Sequence, residues 1–251
     1  TLLEQIDDYA QQVSSRFKGT GRLKDPLLMA LDSPVQPSSA EERKKLISDC
    51  LRANDEKLIA PFPHFAKLAE LAHGFLEDTE KLNYINDQFI IDMVVWYHLA
   101  WMGESVRRTD VRVQALMKKA KFFNFHDRRQ LMLVIGELLN DLIPRYRRLA
   151  ESGRVELSVT PYAHPIIPLM LDINTTHEAM PDAPLPETID YPGGEERAHW
   201  HMEEGLRVFE SFFGFRPKGC WPSEGAVSEA TLTLINRHGF DWAATGENGL
   251  R

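Results

Sequence analysis

A chain of 251 residues, 43% of them hydrophobic, is long enough to bury one sizeable core. Its formal charge of -8 argues against a general nucleic-acid binder, whose footprint is basic, and no run reaches the roughly 18 apolar residues of a membrane span. Its two cysteines, Cys50 and Cys220, stand far apart with no C-x-x-C spacing, which suggests neither a disulfide framework nor a thiolate zinc site; a soluble, cytoplasmic protein is expected.

The chain opens at Thr1 without Met and stops at Arg251 just after a new apolar run, the outline of an excised piece. Leu2, Leu3, Ile6, Tyr9, Val13 and Phe17 recur at helical spacing, so residues 2–17 are predicted helical. Residues 25–37 hold three prolines and are expected to form a loop. Ser39-Ala40-Glu41-Glu42 reads as a capping box opening a helix to about residue 53. Pro61-Phe62-Pro63-His64 breaks the pattern, and a helix resumes over residues 65–74.

Residues 86–101 are the most apolar helical run, covered nearly all round by side chains such as Phe89, Ile90, Met93, Trp96, Tyr97 and Leu99, which implies burial on several sides. Trp96, His98 and Trp101 fit a core, or alternatively the border of a sugar site. Further helices are predicted over 109–121 and 127–152, the second with Pro144 as a candidate kink and Gly153 as its stop.

After Gly153 the pattern changes. Residues 154–160 alternate and are rich in β-branched types, so they read as a strand. Glu156 within it either faces outward or turns into the mouth of a barrel. Pro161-Tyr162-Ala163-His164-Pro165 follows at the strand's end, then a short helix over 175–180 and a proline-rich loop over 181–192. A helix over 195–213 leads to a strand at 218–221, a helix over 226–237 and a strand at 240–245. Strand, helix, strand, helix, strand calls for a parallel sheet with right-handed crossovers. Two parts are expected: a mainly helical insert over 1–152, and a β/α barrel portion over 153–251.

The stretch Gly219-Cys220-Trp221-Pro222-Ser223-Glu224-Gly225 stands where a parallel strand ends and a helix begins, the place where reacting groups gather in such folds. An indole three residues before a carboxylate suits a sugar, whose CH face packs on the ring while the acid meets the anomeric carbon. The same residues equally read as a surface Glu beside a half-buried Trp. Elsewhere the signals are weaker. His199 and His201 stand two apart on a helix and point in different directions, so no metal site is read there. His126-Asp127 and His177-Glu178 read as surface or capping pairs, and no Gly-x-Ser-x-Gly elbow is present.

Taken together, Val155-Glu156-Leu157, Pro161-Tyr162-Ala163-His164-Pro165, Gly219-Cys220-Trp221-Pro222-Ser223-Glu224 and Gly239-Phe240-Asp241-Trp242-Ala243-Ala244-Thr245 resemble glycoside hydrolase family 57. That family holds α-amylases, amylopullulanases, 4-α-glucanotransferases and glycogen branching enzymes. The resemblance spans the chain and is sharpest between Gly153 and Thr245. It implies an α/β fold, an incomplete (β/α)7-type parallel barrel portion with a large helical insert, and a retaining mechanism without a metal or other cofactor.

Carried over residue by residue, Glu224 resembles the nucleophile and Trp221 the sugar-stacking wall. Glu156 matches the acid of the family's Gly-x-x-Glu motif, here Gly153-Arg154-Val155-Glu156, and His164 is a candidate cleft residue. The implied partner is an α-glucan such as starch, glycogen or maltodextrin, with no nucleic acid or membrane involved and no oligomeric state specified.

Two departures stand out. No His-Gln-Pro motif of a first strand is found, so N-terminal strands are expected to be missing. The acid/base Asp of a later strand is expected beyond residue 251, and Gly246 stands where relatives often carry Asp. The fragment alone is therefore expected to be inactive. The alternatives are a carbohydrate-binding relative that lost catalysis and, with less support from these scattered histidines, a metal-dependent deacetylase or mannosidase of related barrel type.

Overall fold

A computed structural model describes residues 2–187 and 191–247. The chain divides into two compact units, Asp8–Asn140 and Thr1–Asp7 with Asp141–Arg251.

The described elements of the first unit are helical: the greater part of α1 (Leu2–Phe17), then α2 (Pro26–Asp32), α3 (Ala40–Cys50), α4 (Pro63–Leu76), α5 (Asp87–Trp101), α6 (Glu104–Thr109), α7 (Val111–Lys119) and the start of α8 (Phe125–Glu151). Helix α2 corrects the loop expected over 25–37. Asp25 accepts the Leu27 and Leu28 N–H groups at 2.9 Å each, and Pro26 takes a first-turn position where its missing donor costs nothing. At the far end of α2 the buried Arg128 guanidinium donates to the carbonyls of Ala30 (3.0 Å) and Ser33 (2.7 Å).

The capping box at Ser39 forms with one change of partner. Its hydroxyl accepts Glu42 N–H at 3.2 Å, while the Glu42 carboxylate returns to that hydroxyl, 2.9 Å away, rather than to the backbone N–H. The helix expected over 109–121 is broken at Asp110, whose carboxylate caps α7 through the N–H groups of Arg112 and Val113. Helix α5 runs through this unit's core, burying Ile90, Met93, Val94, Val95, Trp96, Leu99 and Ala100. On the same helix the buried Asp92 accepts N–H bonds from Phe122 (2.9 Å) and Phe123 (3.0 Å), and Trp96 Nε1 donates to Ala120 O at 2.7 Å. Trp96 is therefore core, whereas Trp101 is 56% exposed.

The other unit carries α9 (Ile167–Leu171), α10 (Thr176–Ala179), α11 (Gly194–Phe213), β1 (Gly219–Cys220), α12 (Glu229–Arg237) and β2 (Trp242–Ala243). Part of the loop expected over 181–192, residues 188–190, lies outside the described residues. Strands β1 and β2 are parallel, Gly219 opposite Trp242 and Cys220 opposite Ala243. The strand expected over 154–160 is reduced to a parallel bridge between Val159 and Cys220. Val159 turns both its backbone groups to β1, with its N–H on Gly219 O at 3.1 Å and its carbonyl accepting Trp221 N–H at 2.8 Å.

Parallel direction and alternation with helices are as expected, but no barrel is formed among the described residues. Residues 154–158 make no ladder bond there, and each later segment contributes two ladder residues. One face of this short sheet carries Val159, Cys220 and Ala243. It packs on Ile167 of α9, Ala198, Met202 and Leu206 of α11, and Leu234 and Ile235 of α12. Close approach is allowed at Gly194, where an added Cβ would lie 1.9 Å from Met170 O.

Candidate active site

Parallel segments deliver their following loops to one end of the sheet. Three such loops meet here: residues 161–164 after Val159, 221–225 after β1, and 244–246 after β2. Thr245 Oγ1 donates to Gly225 O at 2.7 Å, and a Cβ on Gly225 would come within 3.3 Å of Gly246 N. The second and third loops are thus in backbone contact, and Gly246 sits at that contact.

Glu224 lies in the turn after β1 with φ 56° and ψ 14°, the left-handed region that a non-glycine residue enters at a cost of about 1–2 kcal/mol. The bulk of its carboxylate is open to solvent, the side chain being 75% exposed. Facing it from the first loop is His164, whose Nε2 is 3.7 Å from Glu224 Oε1, within ion-pair range and beyond hydrogen-bond range. Ala163 and His164 are themselves left-handed, with φ of 57° and 60°, in a turn closed by His164 N–H on Pro161 O at 3.1 Å. Three left-handed non-glycine residues are therefore gathered at two adjoining turns. Trp221 is 55% exposed at the head of the second turn. The described residues leave the indole and the carboxylate on an open face, without the enclosing walls expected of a sugar cleft.

Ser223, immediately before Glu224, is buried, and its hydroxyl finds no hydrogen-bond partner among the described residues. Glu156 stands apart from this group. It precedes the bridged Val159 by three residues, while Glu224 follows Cys220 by four, so the two carboxylates belong to opposite ends of the ladder. Glu156 Oε1 accepts a 2.7 Å bond from Trp242 Nε1. That indole lies over Gly219, where an added Cβ would be 2.0 Å from the ring. An open groove of about 820 Å³ touches the first loop at Ala163 and His164. Its remaining lining, including Leu2, Ile6, Leu157, Val208 and Phe213, suits packed side chains better than a hydroxyl-rich sugar.

The model of the family described as glycosyl hydrolase family 57 matches residues 36–249. The chain belongs to glycosyl hydrolase family 57. Comparison with curated proteins and with solved structures returned no match. Family 57 membership assigns the chain to the glycoside hydrolases and transglycosylases, with carbohydrate of the α-glucan class as substrate. The matched span contains Glu156, His164, Trp221 and Glu224.

Other features of this family 57 chain bear on the site. Among the described residues no group of three or more His, Cys, Asp or Glu side chains is arranged to hold a metal ion, and no helix is long and apolar enough to cross a membrane. His199 and His201 do diverge. His199 Nδ1 meets His238 Nε2 at 2.9 Å, and His201 Nδ1 meets Tyr162 O at 2.7 Å.

Three residues of the site neighbourhood, Trp242, Gly219 and Ser223, were not singled out by sequence reasoning. Gly219 carried a usable signal, because a glycine inside a strand pattern marks a close approach of another group. Trp242 carried none, and Ser223 drew notice only as a serine without a nearby His, which weakens a serine-hydrolase reading and says nothing of its burial.

Proposed function

We propose that this family 57 chain carries the nucleophile of a retaining enzyme that hydrolyses or transfers α-glucan chains, and that the nucleophile is Glu224. One observation carries the assignment. An exposed carboxylate is held in a strained left-handed turn at the C-terminal end of a parallel strand, with His164 3.7 Å away. In the first step a Glu224 oxygen attacks the anomeric carbon, and the bond from that carbon to the leaving oxygen breaks. The leaving oxygen takes a proton from an acid. In the second, water or an acceptor hydroxyl attacks the same carbon, loses its proton to the conjugate base and frees the carboxylate. Water gives hydrolysis and a sugar hydroxyl gives transfer, which is the difference between an amylase and a glucanotransferase.

Trp221 offers its exposed indole as the wall for the glucose ring. His164 faces the Glu224 carboxylate from the first loop, 3.7 Å away, and borders the place where the sugar would be attacked. Glu156 acts on substrate only indirectly in this scheme, through the segment that Trp242 ties it to. Retention needs a second carboxyl roughly 5 to 5.5 Å from the first, and we assign none of the described residues to that role. The 251 residues alone should therefore fail to turn over. The setting we infer is cytoplasmic, with both cysteines as buried free thiols.

The test is to trap the full-length enzyme with a fluorinated glycosyl donor and locate the label by mass spectrometry. Label on Glu224, and its loss together with turnover in Glu224→Gln, is the expected result. Label on any other residue removes Glu224 from the role. Binding of maltooligosaccharide with neither label nor product would favour a carbohydrate-binding relative instead.

A further inference from the structure

The turn that aims His164 is itself fastened to a helix. Tyr162 donates its N–H to His201 O at 2.9 Å, and the His201 ring returns a bond from Nδ1 to Tyr162 O at 2.7 Å. A histidine in the middle of a helix thus grips both backbone groups of one residue in a neighbouring loop. The contact is made possible one turn further along α11, at Gly205. An added Cβ there would lie 3.2 Å from Tyr162 N and 3.4 Å from Thr160 O. The His201 ring is held in turn by Trp200, whose centroid is 4.9 Å away, and Trp200 also meets the Tyr162 ring edge-on at 5.5 Å. Two residues beyond the grip, through two left-handed conformations, stands His164.

We infer that His201 is a positioning residue of the active site: by clamping Tyr162 it fixes the turn that places His164 against Glu224. This rests on Glu224 being the nucleophile and goes beyond it by naming the group that sets its neighbour's place. Because Tyr162 O can only accept, the His201 tautomer in the clamp carries its proton on Nδ1. The clamp has a conservative substitute, since the Asn side-chain amide can donate from nearly the position of Nδ1.

The experiment is turnover of maltooligosaccharides by the full-length enzyme carrying His201→Ala, His201→Asn, His164→Ala and the His201→Ala/His164→Ala pair, with Glu224→Gln as reference. His201→Ala should lower kcat about 10- to 100-fold with little change in KM, the scale of an ångström-sized misplacement. His201→Asn should recover most of that loss. In the His164→Ala background His201→Ala should add nothing further, because its effect runs through His164.

Losses that multiply in the pair, or His201→Asn no better than His201→Ala, would make His201 a packing residue and overturn the inference. Should His201→Ala not fold, Gly205→Ala tests the same clamp from the other side. It should lower kcat in the wild-type background and leave the His164→Ala enzyme unchanged; an equal loss in both backgrounds overturns the inference. Full activity in Glu224→Gln would bring down the site assignment itself, an outcome distinct from either.

Discussion

Trp242 lies across Gly219 and donates its indole N–H to Glu156 at 2.7 Å, so that one side chain links the outer two of three parallel segments over the middle one. The arrangement depends on the missing side chain at 219. Gly219→Ala would force a methyl into the ring at 2.0 Å, and overpacking of that kind costs about 1–3 kcal/mol. A lower denaturant midpoint with an unchanged slope is expected. Trp242→Ala in the same molecule should make Gly219→Ala nearly neutral, because the clash is removed. Equal penalties in both backgrounds would mean that the ring rests elsewhere.

Ser223 gives a prediction of opposite sign. Its buried hydroxyl has no partner among the described residues, and an unmatched buried polar atom costs about 1–3 kcal/mol. Ser223→Ala should therefore leave stability unchanged or raise it by about 1 kcal/mol. A drop in melting temperature would reveal a partner that this hydroxyl acquires in solution.

Acid should weaken the fold through His238. Burial, reinforced by the neighbouring His199 and opposed by Glu203, lowers its pKa below the ordinary 6.5. His98 on α5 is lowered as well, first by burial. For a base with a lowered folded pKa, the unfolded chain takes up the proton first. Stability is then full above about pH 6.5 and declines as pH falls from there through the lowered folded values. Unfolding midpoints measured from pH 7.5 down to 5 should show this slope, and His238→Gln should flatten it. A slope unchanged by His238→Gln would place the proton uptake on other groups.

In the helical unit, Asp92 is the residue to test. Its carboxylate accepts N–H bonds from both Phe122 and Phe123, and the Phe122 backbone is left-handed at φ 59°. Asp92→Ala orphans two donors and should cost about 2–3 kcal/mol, whereas Asp92→Asn keeps an acceptor and should cost less. Equal losses for the two variants would show that charge, rather than acceptance, holds the loop.

Much of this organisation was legible from residue order. Helices α1 and α5 announced themselves by their apolar positions and α8 by its glycine stop, and the motif around Trp221 and Glu224 stood out as the end of a strand. Helix α2 was hidden because three prolines outweighed the cap at Asp25, although one of them occupies a first-turn site that favours a helix. The strand over 154–160 was overread: alternation and β-branching describe a segment fit for a sheet, but a ladder forms only where a neighbouring strand runs alongside, and β1 meets this segment at Val159 alone. His201 was read only as half of a His-x-His pair. Its bond to Tyr162 spans 39 residues of sequence, and nothing local foretells it. Glu156 was expected to bind substrate from its Gly-x-x-Glu motif alone, and no motif reports that it and Glu224 lie on opposite sides of the Val159–Cys220 bridge.

Among the described residues the ladder that carries the three loops is two residues wide at its fullest, with a single bridge on one flank. Helices hold themselves turn by turn, but so small a patch of sheet opens as one event. Gentle warming should therefore scatter the three loops while the circular dichroism of the helices stays intact, so that the corner holding Glu224 loosens before the protein melts.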